Sequence, residues 1–257
     1  MLSYQHAYHA GNLADVHKHA LLAIILQYLV QKPKPLSYFE THAGRALYDL
    51  TAREAQKTKE ADAGILKALD WFSGDHPYRL CVNKTRDAHG ASAYPGSPLI
   101  ASALLRPEDT ITLAELHPQE VQALRQALPK AKVQQADGPA MVLSMVPPIP
   151  RRGVALIDPS YEVKSEWKST AKLLQNLHRK WPVGVLMVWY PVLATGLEAA
   201  FVHALPSLPA DKLLHHTVQF PPARDGHRMV GSGMVVVNPP WGLADQAKEL
   251  SAQFARL

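Results

Sequence analysis

Residues 153–161 read Gly-Val-Ala-Leu-Ile-Asp-Pro-Ser-Tyr, an apolar run that ends in a polar turn. The run 153–157 has no alternating polar side chains, which is typical of a strand buried on both faces of a parallel sheet. Asp-Pro is a common turn initiator. Because open parallel sheets bind ligands beyond the carboxyl ends of their strands, we expect Asp158, Pro159 and Tyr161 at the functional edge of an α/β fold.

Predicted strands and helices alternate on both sides of this stretch, which indicates a mostly parallel sheet covered on both faces. The last two strands are joined by a loop without a helix and predict an antiparallel pair. The predicted strands are residues 36–40, 110–116, 132–135, 153–157, 183–190, 212–220 and 233–237. The first predicted helix begins after Asn12 and ends before Pro33. The other predicted helices are residues 52–72, 99–105, 118–128, 139–145, 167–181 and 197–205.

The chain, residues 1–257, is expected to form one domain that carries a small helical insertion at residues 47–94. Residues 52–72 have helical spacing with exposed charges, and a turn-rich stretch follows at 73–77. Residues 94–98 are expected to form a loop.

Composition excludes several classes of protein. The 47% of hydrophobic residues is too high for a disordered chain. The 27 Lys and Arg against 22 Asp and Glu give a net charge of +5, which permits an anionic partner. A single cysteine, Cys81, excludes an internal disulfide framework and fits a reducing cytoplasm. The 13 histidines form no His-Glu-x-x-His motif, so we expect no metal site.

The apolar run 20–30 is about half the length needed to span a bilayer. Asn12 as the N-cap and Pro33 as the stop predict a buried helix instead. We therefore expect a soluble, cytoplasmic protein without a membrane partner.

Acidic residues end several predicted strands. Glu115 is placed to accept hydrogen bonds from ribose hydroxyls, and Asp137 from an adenine amino group. The loop 40–46 has one glycine, Gly44, where a dinucleotide fingerprint needs three. This disfavours a nicotinamide cofactor and a Walker-type phosphate loop. Together these residues describe a site for an adenosine-containing ligand without phosphates.

Asp158-Pro159-Ser160-Tyr161 resembles the Asp-Pro-Pro-Tyr motif of amino-methyltransferases that modify adenine N6 or cytosine N4. The lone pair of such an amine is delocalised into the ring. The Asp158 carboxylate and the Pro159 carbonyl can each accept one N–H, which aims the lone pair at an activated methyl group. Tyr161 supplies a ring on which the extruded base can stack.

The chain as a whole resembles the RlmJ family, the 23S rRNA adenine-N6 methyltransferases. The resemblance implies a Rossmann-like class I methyltransferase fold, with a seven-stranded mostly parallel sheet and an antiparallel C-terminal strand. It also implies S-adenosylmethionine as the cofactor and adenine 2030 as the target. The matching stretches are residues 1–19, Thr-His-Ala-Gly at 41–44, Tyr-Pro-Gly-Ser-Pro-Leu-Ile at 94–100, Glu-Leu-His-Pro at 115–118, Ala-Asp-Gly at 136–138, Arg-Arg-Gly at 151–153, Trp-Tyr-Pro-Val at 189–192, Ser-Gly-Met at 232–234 and Asn-Pro-Pro-Trp at 238–241.

The resemblance also assigns individual roles. It implies that Tyr4 meets the RNA and that Asp158 is the catalytic acceptor. The residues expected at the methyl donor are His19, His42, Gly44, Ser97, Glu115, Asp137, Gly138 and Asp158.

Two departures from the family pattern stand out. Arg45 and Ala46 occupy the place of Ala-Gly in Thr-His-Ala-Gly-Ala-Gly, which adds bulk and charge beside the donor pocket. Ser160 replaces the second proline of the catalytic motif, so we expect a looser loop.

Arg224 and Arg228 lie in a glycine-containing loop, and we expect them to contact RNA phosphates. The expected partner is free or partly unfolded 23S rRNA, with no obligate protein partner. Two alternatives stay open: a DNA adenine or cytosine amino-methyltransferase, and a non-catalytic nucleic-acid-binding protein involved in the use of external DNA.

Overall fold

The computed structural model describes residues 5–224, 226 and 228–257 as strands, helices and their connections. The strands are β1 (Ser37–Glu40), β2 (Leu47–Asp49), β3 (Ala93–Pro95), β4 (Thr110–Glu115), β5 (Lys132–Gln135), β6 (Gly153–Ile157), β7 (Val185–Leu193), β8 (Leu213–Gln219) and β9 (Met229–Val237). The helices are α1 (Leu13–Val30), α2 (Arg53–Thr58), α3 (Glu60–Ala63), α4 (Ile65–Ala68), α5 (Pro77–His89), α6 (Ser97–Leu104), α7 (Pro118–Ala127), α8 (Gly138–Met145), α9 (Ser165–Lys180), α10 (Ala199–His203) and α11 (Leu243–Phe254).

The main sheet has seven strands in the order β5-β4-β1-β6-β7-β9-β8. Strand β1 pairs in parallel with β4 and β6, whereas β9 runs antiparallel between β7 and β8. The strand order reverses between β1 and β6, and open sheets bind ligands at such a switch point. This topology confirms the predicted Rossmann-like class I methyltransferase fold and its antiparallel C-terminal strand.

Helix α1 lies in the hydrophobic core and brings its first turns to the switch point. The Asn12 side chain accepts a hydrogen bond from the Asp15 backbone at 2.9 Å, which is the predicted N-cap. Among the described helices, α1 alone has the length and composition to cross a membrane, yet 72% of it is buried in the fold. A buried core helix has the same length and composition.

The inserted segment differs from its prediction. Residues 52–72 form the short helices α2, α3 and α4, and not one helix, because Lys59 has a φ of 56° and Gly64 bends the chain. A side chain on Gly64 would collide with the Gly11 carbonyl, to which Ile65 donates a hydrogen bond of 2.8 Å. The contact brings α4 against the start of α1.

Strands β2 and β3 form a separate two-stranded antiparallel sheet. In the sequence, β2 precedes helices α2–α5 and β3 follows them. The predicted loop at 94–98 is therefore wrong at Tyr94 and Pro95, which belong to β3, and at Ser97 and Pro98, which begin α6. A three-residue strand has too few residues for a periodic pattern and depends on its partner. Ile65 and Tyr78 of the insertion share one buried core with α1, and the division into domain and subdomain stays a prediction.

Two further differences lie near the C-terminus. Strand β7 continues through Pro191 to Leu193, because β9 pairs along it from Val237 back to Met229. Helix α11 was not predicted, although Leu243, Ala247, Leu250 and Phe254 have the spacing of a buried helical face.

Candidate active site

A cavity of about 890 Å³ opens beyond the carboxyl ends of β1 and β6. It brings together most of the predicted site residues, from both the donor side and the substrate side. Asp137 and Gly138 do not line it, and Tyr4 lies outside the described residues. The predicted residues that line the cavity are His19, His42, Gly44, Ser97, Glu115, Asp158, Pro159, Tyr161, Arg224 and Arg228.

The wall of the cavity includes a lysine that lies between two carboxylates. Lys18 Nζ lies 2.5 Å from Asp158 Oδ2 and 3.1 Å from Asp15 Oδ1. Burial alone would lower the pKa of Lys18, but the charges and hydrogen bonds of Asp158 and Asp15 outweigh it and raise the pKa. Lys18 is thus a fully charged ammonium that links α1 to the turn after β6.

Asp15 is itself enclosed by donors. Its Oδ2 accepts the Gly11 backbone N–H at 2.9 Å and lies 2.8 Å from His6 Nε2. Burial opposes ionisation, yet the interactions with His6 and Lys18 outweigh it and lower the pKa of Asp15 well below its usual value. Asp15 is therefore an ionised structural anchor for Lys18.

His19, predicted to contact the methyl donor, is buried. Its Nδ1 lies 2.8 Å from the Tyr94 hydroxyl, which is 2.9 Å from the Tyr78 hydroxyl. Burial lowers the pKa of His19 to about 3, against the partial opposition of Asp15. Its imidazole is neutral at neutral pH, and the contacts to Tyr94 and Tyr78 tie it to the inserted segment.

The turn after β6 holds Tyr161 in a fixed orientation. Tyr161 has a φ of 56°, and its hydroxyl donates to the Trp189 carbonyl at 2.9 Å. The Trp167 ring packs on it with centroids 4.1 Å apart, and 8% of Tyr161 is exposed. Trp167 thus already occupies one face of the tyrosine, and stacking on a substrate base stays a prediction.

Gly44 and Glu115, both predicted to contact the methyl donor, form one rigid corner of the cavity wall. Gly44 has a φ of 60° and donates its backbone N–H to Glu115 Oε2 at 2.9 Å. Glu115 Oε1 accepts the backbone N–H groups of Leu116 and His117, each at 2.8 Å. A carboxylate held by three backbone donors keeps one orientation at the cavity wall.

The two residues that depart from the family pattern have distinct environments. The Arg45 guanidinium makes hydrogen bonds of 2.9 and 2.5 Å to Glu120 in the first turn of α7, so its charge is compensated. Ala46 is buried with a φ of 67°, a conformation that a glycine adopts without steric cost. The turn keeps the glycine-like backbone although the glycine is absent.

Asp137 and Gly138 occupy the start of α8. Asp137 Oδ1 accepts the Ala140 backbone N–H at 2.8 Å as an N-cap, and Gly138 packs against the Thr41 carbonyl with no room for a side chain. Their predicted role at the adenine end of the donor stays a prediction.

Glu40 is a buried residue of the site for which no role was predicted. Its Oε1 accepts the Ser97 hydroxyl at 2.5 Å and its Oε2 accepts the Tyr38 hydroxyl at 2.8 Å. Burial raises the pKa of Glu40 to about 8, although both hydrogen bonds oppose the shift. Ser97, predicted at the donor, thus donates its hydroxyl to Glu40 while lining the cavity.

His42 follows β1 on the same side. Its Nδ1 lies 2.7 Å from the Thr41 hydroxyl, and burial lowers its pKa despite the nearby carboxylates of Asp158, Glu115 and Asp137. Like His19, it presents a neutral imidazole to the cavity.

No role at the site was predicted for Lys18, and Asp15 was expected only as an acid in the first turn of the helix. The sequence does contain a pattern that could have indicated them, because both are charged residues within an apolar helix and are spaced three residues apart. Their connection to Asp158, however, spans 140 residues of sequence.

Comparisons with known proteins identify relatives along nearly the whole chain. The family model "Ribosomal RNA large subunit methyltransferase D, RlmJ" matches residues 33–256. Ribosomal RNA large subunit methyltransferase J of Escherichia coli is 37% identical over 96% of this chain and 90% of its own length. The protein of the same name from Haemophilus influenzae is 37% identical, over 97% of this chain and 92% of its own. A crystal structure of a Legionella pneumophila protein superposes with a TM-score of 0.84 at 32% identity, over 95% of this chain and 92% of that one.

Proposed function

This chain belongs to the RlmJ family of ribosomal RNA large subunit methyltransferases, and from that premise we propose that it transfers a methyl group from S-adenosylmethionine to the N6 amine of an adenine in 23S rRNA. The observation that carries the proposal is the position of Asp158. Its carboxylate follows the buried strand β6, is held by Lys18 at 2.5 Å, and lines a cavity shared with the Gly44–Glu115 corner. Adenine 2030 is the target expected from the family resemblance.

The donor side of the cavity fits S-adenosylmethionine. Gly44 leaves the turn after β1 open to close approach, and Glu115 presents a fixed carboxylate suited to ribose hydroxyls. The positive charge of Arg45 in this turn is compensated by the Glu120 carboxylate. The turn therefore offers little attraction to phosphates. When bound, the donor supplies an electrophilic methyl group on a positively charged sulfur.

The chain's own residues act on the amine that receives the methyl group. Lys18 occupies Asp158 Oδ2, and among the described residues none donates a hydrogen bond to Oδ1. Oδ1 can therefore accept one amine N–H while the Pro159 carbonyl accepts the other. The nitrogen lone pair is then directed out of the ring plane. In one in-line displacement, without a covalent enzyme intermediate, the N–C bond would form as the methyl group's bond to sulfur breaks, the neutral thioether would leave, and one amine proton would pass to solvent.

The target base must leave its helix to enter such a cavity. Free or partly unfolded rRNA presents unstacked bases most readily. Arg224 and Arg228 line the cavity and carry the positive charge that phosphates on either side of the base require. We infer the same cytoplasmic location for this protein as for its RNA substrate.

The test is tritium transfer from labelled donor to unmodified 23S rRNA by the full chain and by Asp158→Ala. We expect transfer by the wild type and its loss in Asp158→Ala, while Asp87→Ala, an exposed acid on α5, retains it. Turnover that survives Asp158→Ala would overturn the assignment. Transfer to DNA and not to RNA would identify a DNA amino-methyltransferase, and nucleic-acid binding without donor binding would identify a non-catalytic protein.

A further inference from the structure

A line of side-chain hydrogen bonds runs from the wall of the cavity to the outer helix α11. The Trp189 indole Nε1 donates to the Ser232 hydroxyl at 2.9 Å, and Ser232 Oγ lies 2.8 Å from His17 Nδ1. His17 Nε2 is 2.8 Å from His216 Nδ1, and His216 Nε2 is 2.6 Å from Ser251 Oγ. The line joins β7, β9, α1, β8 and α11 through side chains alone.

One arrangement of protons satisfies every member of this line. An indole can only donate, so the Ser232 oxygen accepts from Trp189, and in this arrangement its own proton is donated to His17 Nδ1. The Nε2–H of His17 then donates to His216 Nδ1, and the Nε2–H of His216 donates to Ser251. Burial lowers the pKa of both histidines, and their mutual repulsion adds to the shift in His17. Both are therefore neutral at neutral pH, as this arrangement requires.

Trp189 in turn supports two residues of the catalytic centre. The Lys18 ammonium lies over its ring, 5.7 Å from the centroid, and Lys18 also binds Asp158. The Tyr161 hydroxyl donates to the backbone carbonyl of the same residue. A rotation of the indole would remove the aromatic surface beneath Lys18 and expose one side of the ion pair with Asp158.

We propose that Ser232 and His17 are positioning residues for methyl transfer, which hold the Trp189 ring beneath Lys18 and thereby fix the Lys18–Asp158 pair. Ser232 is fully buried, so no water replaces its hydroxyl without rearrangement. His17 is equally buried, and its Nδ1, 2.8 Å from the Ser232 oxygen, limits the orientation of that hydroxyl. The inference rests on the proposed function, because the position of Asp158 matters for transfer to an amine.

A double-mutant cycle on the full chain tests this positioning. Ser232→Ala and Trp189→Phe should each lower kcat about tenfold, the order expected for one lost buried hydrogen bond, with KM for rRNA little changed. If Ser232 acts through the indole, adding Ser232→Ala to Trp189→Phe lowers kcat by less than about twofold more. Ser37→Ala, which removes another buried strand hydroxyl that bonds to Thr110, is the matched control and should retain kcat.

A second readout does not depend on activity. The chain has five tryptophans, so its indole N–H groups give few NMR signals, and Trp189→Phe identifies the one from Trp189. Ser232→Ala and His17→Leu should shift this signal and speed its exchange with deuterated water, whereas Ser37→Ala should not. An unchanged signal in Ser232→Ala, or kcat losses that multiply in the double variant, would overturn the proposal. If the wild type transfers no methyl group but the variants show the expected NMR changes, the hydrogen-bonded line is supported and the proposed function is overturned.

Discussion

Lys18 Nζ lies 2.5 Å from Asp158 Oδ2, a contact between helix α1 and the turn that follows strand β6. The same ammonium is 3.1 Å from Asp15 Oδ1. One cation thus compensates two carboxylates, and the helix that precedes the sheet in sequence fixes the turn that carries the proposed catalytic residue Asp158. An ion pair buried to this degree is sensitive to the loss of either partner, because the remaining charge has little water around it.

Replacement of Lys18 by Gln is the first prediction. The buried carboxylate of Asp15 and the partly buried carboxylate of Asp158 would lose their counter-charge, and the loss of one partner from a buried ion pair costs about 3–5 kcal/mol in other proteins. Methyl transfer to rRNA should therefore fall by at least about 100-fold. Lys172→Gln, an exposed lysine on α9, is the control. Transfer within a few-fold of wild type in Lys18→Gln would show that the ion pair does not support catalysis.

Glu40 predicts a dependence of stability on pH. Burial raises its pKa from 4.5 to about 8, so between these values the folded chain keeps a proton that the unfolded chain has lost. Stability should then fall as pH rises from 5 to 8, with a slope of at most about 1.4 kcal/mol per pH unit from this group. Glu40→Gln should flatten the pH dependence of Tm over this range.

The control for Glu40→Gln is Glu249→Gln on the exposed face of α11. Glu249→Gln should leave the dependence of Tm on pH as steep as in the wild type. A slope that is equally steep in Glu40→Gln would assign the pH dependence to other groups.

Gly44→Ala is predicted to weaken donor binding. Its φ of 60° costs an alanine about 1–2 kcal/mol, and the added Cβ would lie 2.5 Å from the Tyr48 hydroxyl. The turn would have to move, and with it the N–H that holds Glu115. We expect roughly tenfold weaker binding of S-adenosylmethionine by calorimetry. Gly74→Ala, in open space at an ordinary φ, should bind as wild type does.

The Arg45–Glu120 pair can be tested by exchange of its charges. Arg45→Glu and Glu120→Arg each place like charges together beside the donor turn, and each should raise KM for the donor several-fold. The double variant restores an opposite pair and should recover part of the loss. A double variant no better than the worse single one would mean that the contact does not shape the pocket.

Arg224 and Arg228 are predicted to contact RNA phosphates. Replacing both with Ala should weaken rRNA binding and reduce the slope of log K against log salt by about 1.4, at about 0.7 per single-strand phosphate. Arg179→Ala, on the last turn of α9 and outside the cavity, is the matched control. An unchanged salt slope in the double variant would place the RNA backbone elsewhere.

The parts of the fold that follow from local pattern were predicted well. Strand β6 at 153–157 has the predicted bounds, because an uninterrupted apolar run between turns has few alternatives. Helix α1 begins at its predicted cap. By contrast, β3 pairs with a strand more than 40 residues earlier, and the bend at Gly64 depends on its contact with Gly11. Such elements have no local pattern of their own. The missed helix α11 is different, since its apolar spacing was there to be found.

By itself, the sequence determined the fold class and the edge of the sheet at which the polar residues gather, because strand alternation and strand-end turns are local properties. The resemblance added His19 and Ser97 as site residues. Only the tertiary structure decided that Lys18 binds Asp158, that Ser97 donates to Glu40, and that Asp137 caps α8 outside the cavity wall. These contacts join atoms from elements far apart in sequence, and hydrogen bonds form only between groups that the packing brings within about 3 Å.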